Sequence, residues 1–172
     1  MYRGPEGFAR WMSIWMNVFL NIVLNVAAPL AVESATGAVG LLTFASFLQG
    51  FVMGTFIGLA CADLIPAFKW ATALSDKLHL KKVASHFVSS AVLALVFTTV
   101  LLFIISFINN IATGGMGAVF GFFILIYPSV LLYAYIAMLV ILPVAQKLAS
   151  LFSGFDPRAV SRSIDATRAE KV

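Results

Sequence analysis

Four long apolar runs, at about residues 11–32, 40–66, 85–110 and 117–146, alternate with short segments that hold nearly all of the charge. Each run is long enough for the about 20 helical residues that cross a hydrocarbon layer. Hydrocarbon offers no partner to a free backbone N–H or C=O, so the runs are predicted as helices, which satisfy those groups internally. A transmembrane β-barrel fits poorly, because its strands take roughly ten residues each and alternate apolar with polar positions. The pattern predicts an all-α integral membrane protein of four helices, made of two parallel helical-hairpin repeats.

Composition agrees. A mean hydropathy of +1.02 with 10% charged residues excludes a soluble domain, where roughly a quarter of residues are charged. The basic residues fall in three places: Arg3 and Arg10 before the first run, Lys69, Lys77, Lys81 and Lys82 between the second and third, and Lys147, Arg158, Arg162, Arg168 and Lys171 at the end. The turns near Glu33 and Asn110 carry no Lys or Arg. Because Lys and Arg in short loops mark the cytosolic side, both termini and the central linker are expected there. Trp11, Trp15 and Trp70 lie beside the same basic segments, where amphipathic indoles prefer to sit. The expected organisation is a cytosolic N-terminus over 1–10, a first hairpin over 11–74, a basic linker over 75–84, a second hairpin over 85–152 and a polar tail over 153–172. The first run is expected to stay in the protein, being too long for a signal-peptide core. The net charge of +4 flanks the spans instead of forming a basic face with interleaved aromatics, so the expected partner is the lipid bilayer, not nucleic acid.

Compared with itself at an offset of 77 residues, the chain aligns Ala35-Thr36-Gly37-Ala38-Val39-Gly40 with Ala112-Thr113-Gly114-Gly115-Met116-Gly117, and Pro66 with Pro143. The matches fall on the outer turn and the cytosolic exit of each hairpin, which predicts a duplicated hairpin with both copies pointing the same way. Gly37, Gly40, Gly114 and Gly117 suit tight reversals. Thr36 and Thr113 are expected to cap the helices that follow. Pro66 and Pro143 each remove a backbone donor and are expected to bend or end the second helix of each pair.

A helix, an Asn/Thr-Gly turn, and a second helix closing on Pro and a basic residue together resemble the bacterial domain-of-unknown-function family 2798, present twice. The first copy carries Thr36-Gly37 and Pro66 with Lys69; the second carries Asn110, Thr113-Gly114, Tyr127-Pro128 and Pro143 with Lys147. Where the second copy has the aromatic-Pro step, the first has Gly50-Phe51. The resemblance implies a membrane hairpin architecture in a bacterial plasma (inner) membrane and no particular activity.

Several features could carry function. Asn17, Asn21 and Asn25 recur every four residues, giving one polar stripe on the first helix. It is either a helix-packing strip or, with Asp63, the lining of a polar path for a substrate or ion. Pro29 removes the donor that the Asn25 carbonyl would use. Ser46, Gly50, Gly54, Gly58 and Ala62 form a small-residue run that lets another helix approach closely, and Gly117 with Gly121 offers a shorter one. Asp63 is the lone acid inside an apolar run, expected near the cytosolic interface with the nearby lysines. Pro128 is expected to kink the fourth helix, with hydroxyls from Tyr127, Ser129, Tyr133 and Tyr135 supporting the kink or, alternatively, contacting a ligand. His79 and His86 are expected to be solvated in the linker, whose Leu74, Leu78 and Val83 among lysines suggest a short helix at the headgroups. Cys61 has no partner for a disulfide.

No HExxH, GxSxG or P-loop is present. No cofactor or metal site is expected. The leading expectation is a non-enzymatic structural or accessory membrane protein acting through helix association, alone, as a homo-oligomer or with another membrane protein. A small transporter or channel subunit is the alternative, and a membrane-embedded enzyme the third.

Overall fold

A computed structural model describes residues 3–79 and 81–156. Over these residues the protein is all helical, without strands. Helix α1 spans Gly4–Thr36, α2 Phe44–Leu64 and α3 Ala67–Lys77. A long helical stretch, Lys82–Ser153, is interrupted at Gly115 and divides into α4, Val83–Ala112, and α5, Gly114–Ser153. Helices α1, α2, α4 and α5 are each long and apolar enough to cross a membrane. The predicted tail bases Arg158, Arg162, Arg168 and Lys171 lie outside the described residues.

Helix α1 begins before its apolar run, with Pro5 in its first turn, where a missing N–H leaves no hydrogen bond unmade. Its early residues are held by aromatic contacts with the end of α5. Phe8 meets Phe155 edge-on at 5.9 Å, and Trp11 and Trp15 lie 4.9 and 5.5 Å from Phe152. The start of α1, the end of α5 and α3 therefore share one end of the bundle, here the basic end. The connections 37–43 and Gly115 form the other, the turn end.

The core runs along the contact of α1, α4 and α5. Met12, Met16, Leu20 and Leu24 recur every four residues on α1 and are buried against Leu93 and Leu101 of α4 and Ile126, Val130 and Met138 of α5. Ala134, Ala145 and Ala149 are fully buried; small side chains let backbones approach where lipid supplies no hydrophobic drive to associate. Helix α3 rests on α4 through Ala67, Ala71 and Ser75, one helical face, with the Ser75 and Ser89 hydroxyls 3.3 Å apart. It is the short helix expected in the basic segment, although it ends at Lys77 and leaves only 78–81 as linker.

Helix α2 is the outlier. Its buried residues are Gly54, Gly58 and Cys61, so it touches the bundle along one narrow strip and leaves its bulky residues outside.

The turns differ from expectation. Thr36 does not cap α2: its hydroxyl donates to Val32 O within α1, which ends on Gly37 in the left-handed region at φ 73°. The cap is Thr43, whose hydroxyl accepts from Ser46 N while the Ser46 hydroxyl accepts from Thr43 N, a reciprocal capping box. The loop is long enough that the cap falls seven residues after Thr36. At the second reversal the strained residue is Gly115, at φ 60° and ψ −159°, not Gly114 or Gly117. Only glycine holds that conformation readily. The Thr113 side chain lies outside what the structure describes.

Candidate functional site

The asparagine stripe of α1 and the glycine stripe of α2 meet each other. A Cβ placed on Gly50, Gly54 or Gly58 would run into the side-chain amide oxygen of Asn25, Asn21 or Asn17 respectively. The amide carbons would lie 3.1, 3.1 and 2.7 Å from those Cβ positions. Each step of four down α1 is matched by a step of four up α2, the register of two antiparallel helices. Because the missing Cβ vectors point at the amide oxygens, each oxygen faces a glycine Cα–H, a weak hydrogen-bonding contact that recurs where helices pack closely.

The amide nitrogens complete a ladder. Asn17 Nδ2 donates across the interface to Thr55 O at 2.8 Å. Asn21 Nδ2 donates to Asn17 Oδ1 at 2.7 Å, and Asn25 Nδ2 to Asn21 O at 2.8 Å. Asn17 and Asn21 are 5% and 1% exposed. These two do not line an open path; α2 closes over them. The sequence separates the two stripes by an entire turn and loop, and only their matched four-residue periods hint that they belong together. At the ends of the run Ser46 is exposed and engaged in the α2 cap, whereas Ala62 packs against the core.

Asp63 is not joined to the lysines. At the basic end of the same interface its Oδ1 accepts from Arg10 Nη1 at 2.7 Å, with both side chains about half exposed. At the turn end Glu33 Oε1 accepts from Leu41 N at 2.6 Å, tying the loop to α1. The α1–α2 pair thus carries a polar contact at each end and an amide ladder between.

The α4–α5 hairpin is joined differently. Thr99 Oγ1 and the Tyr127 hydroxyl lie 2.8 Å apart, and Phe103 packs on Phe120 and Phe123 at 5.9 and 5.8 Å. Gly117 and Gly121, expected to pack, are exposed with open space where a side chain would begin. Ser129 and Tyr133 are exposed as well. A Cβ on Gly114 would sit 2.5 Å from that of Ala118.

Pro66 and Pro143 part company. Pro66 lies beyond the end of α2, where Ile65 is extended, and starts α3. Pro143 does not end a helix: α5 continues through it to Ser153, as it does through Pro128. Proline deprives the carbonyl four residues earlier of its donor, and for Pro143 that carbonyl is Leu139. His86 Nε2 lies 3.1 Å from Leu139 O. A carbonyl only accepts, so Nε2 carries the hydrogen. His86, expected to be solvated, is instead half-buried on α4 and supplies the bond that Pro143 removes.

Two cavities border these contacts. One, of about 460 Å³, opens among α1, α2 and the α4–α5 hairpin toward the turn end, with Asn25, Pro29, Gln49 and Asn109 in its lining. The other, of about 510 Å³, lies at the basic end among α1, α3, α4 and α5 beside His86 and Pro143. No protein family, curated protein or solved structure matches the chain.

Proposed function

We propose that this is a non-enzymatic, multi-pass protein of a bacterial plasma membrane, with a structural or accessory role exercised through association of its helices. The observation that carries this reading is the fate of the asparagines. Asn17 and Asn21 are covered by the glycine face of α2, so the most polar strip of the membrane region holds two helices together. The opposite side of α2 presents Phe44, Leu48, Val52 and Phe56, one ridge at helical spacing and exposed along its length. That ridge, which otherwise faces acyl chains, is the surface the association reading would use, toward a second copy of the chain or another membrane protein. Both termini are read as cytosolic because the basic end carries the Lys and Arg residues.

The duplicated hairpin is part of the same reading and is supported by helix boundaries. The 77-residue offset carries α1 onto 81–113, against Val83–Ala112 for α4, and carries 44–77 onto 121–154; α5 ends at Ser153 but begins at Gly114 and has no break matching that between α2 and α3. The likeness to family 2798 bears on this architecture alone.

The test is a Val52→Cys variant in a Cys61→Ala background, oxidised in native membranes. Disulfide-linked dimers support association through α2, and exclusively monomeric protein under conditions that cross-link a known dimer removes it. The alternative, a transporter or channel subunit, places its path along Asn25, which borders the 460 Å³ cavity. It requires Asn25→Leu to abolish flux in proteoliposomes without loss of folded protein.

A further inference from the structure

We infer that the cavity among α1, α2 and the α4–α5 hairpin is a binding site for a neutral amphiphile with a single apolar chain. Its volume of about 460 Å³ falls within the roughly 300–1,000 Å³ of small-molecule sites. The cavity follows from how α2 is attached. Glycines bring α2 against α1 along one strip, so α2 stands off from α4 and α5, and a cleft is left open on that side.

The lining is graded along the membrane normal. Ser46, Gln49 and Asn109 lie within a few residues of the turn-end termini of α2 and α4. Deeper in, Leu24, Leu102, Ile126 and Val130 make an apolar wall. Val130 is 15 residues from Gly115, roughly 22 Å of helix at the 1.5 Å rise. Part-way down, Pro29 leaves the Asn25 carbonyl without its helical donor, and both residues line the cavity. An apolar chain with a hydroxyl- or amide-bearing head matches this order: chain on the wall, head among the amides.

Charge and size narrow the class. No charged side chain lines the cavity, and Glu33, the nearby acid at that end, is engaged with the Leu41 amide. A phosphate or quaternary ammonium head would find no counter-charge. At about 30 Å³ per water, the cavity corresponds to roughly fifteen waters. That is the order of one apolar chain; a phospholipid could enter by one of its two chains, and the uncharged lining, not size, selects against its head. A transmembrane helix, about 10–12 Å across with its side chains, is several times too large, so a second copy is not its occupant.

The experiment uses the full chain in phosphatidylcholine nanodiscs with a palmitoyl monoacylglycerol that carries a mid-chain diazirine. After photolysis and proteolysis, mass spectrometry should find label enriched several-fold on Met53 and Phe122 over Phe56 and Ile124, which are exposed outside the cavity. Unlabelled monoacylglycerol should compete it away. Ile105→Trp, which fills the cavity, should abolish the enrichment. Gln49→Leu and Asn109→Leu, both at exposed positions that tolerate apolar residues, should weaken it with helicity and monodispersity unchanged. Equal label on Met53 and Phe56, absence of label from both Met53 and Phe122, or equal enrichment when phosphatidylcholine carries the diazirine would each overturn the proposal.

Discussion

The amide carbon of Asn17 lies 2.7 Å from the point where a side chain on Gly58 would begin, and its amide nitrogen 3.0 Å. No other residue type fits there without moving the amide that bonds Thr55 O. Gly50 and Gly54 are tight as well, each Cβ position running into the amide oxygen of Asn25 or Asn21, with the amide carbon somewhat farther off at 3.1 Å. Gly58→Ala is therefore expected to destabilise the protein by about 1–3 kcal/mol, the usual range for overpacking. Gly50→Ala should cost less, because Asn25 is only partly buried and can turn away. Reversible unfolding in mixed micelles measures both. Adding Asn17→Ala should remove most of the Gly58→Ala penalty; additive losses would mean that the two residues do not share this contact.

Replacing His86 with Phe should weaken or break α5 at Pro143. The Leu139 carbonyl would lose its protein donor, at a cost of about 0.6 to 2 kcal/mol for hydrogen bonds of this kind. Pro143→Ala restores an N–H in line with Leu139 O and should rescue the His86→Phe variant. Distances between spin labels at Leu132 and Leu151 report the straightness of the helix. Identical distributions with and without His86 would show that the ring plays no part.

The two glycine positions near the second reversal should respond in opposite directions. Gly115→Ala forces an L-residue into a conformation that glycine alone holds easily, at a cost on the order of 1–3 kcal/mol. Gly121→Ala meets open space within a helix and should stabilise by up to about 1 kcal/mol through helix propensity. Thermal unfolding of the two variants side by side decides the matter.

Asp63→Asn should change stability by less than about 1 kcal/mol, because the Arg10–Asp63 pair is about half exposed on both sides and pairs in water are screened. A larger loss would show that the pair is shielded by lipid headgroups. The same variant leaves the amide ladder untouched, so the α1–α2 contact should persist.

In a Cys61→Ala background, a membrane-impermeant maleimide applied to intact cells should label Val39→Cys and spare Lys69→Cys, with the order reversed in inverted vesicles. Val39 is 90% exposed in the α1–α2 loop, so burial cannot protect it. Label on position 69 in intact cells would invert the orientation drawn from the basic residues.

Much of the architecture follows from the amino acids alone. Four apolar runs without internal Lys or Arg specify four helices, because the hydrocarbon layer leaves backbone groups no other partner. The periods of Asn17, Asn21 and Asn25 and of Gly50, Gly54 and Gly58 define two faces for the same local reason. Which face meets which was decided by the tertiary structure, since a four-residue period says where a stripe lies on its own helix and nothing about its neighbour. The two prolines make the point most sharply. Pro66 and Pro143 are alike in sequence and occupy equivalent places at the 77-residue offset, yet one falls at a helix break and the other inside a continuous helix. At Pro143 the missing donor is replaced by His86, whose counterpart at that offset is Ala9, although helices also run through Pro29 and Pro128. A donor that reaches from another helix to replace the missing bond exists only once the chain has folded, and periodicity along one helix cannot reveal it.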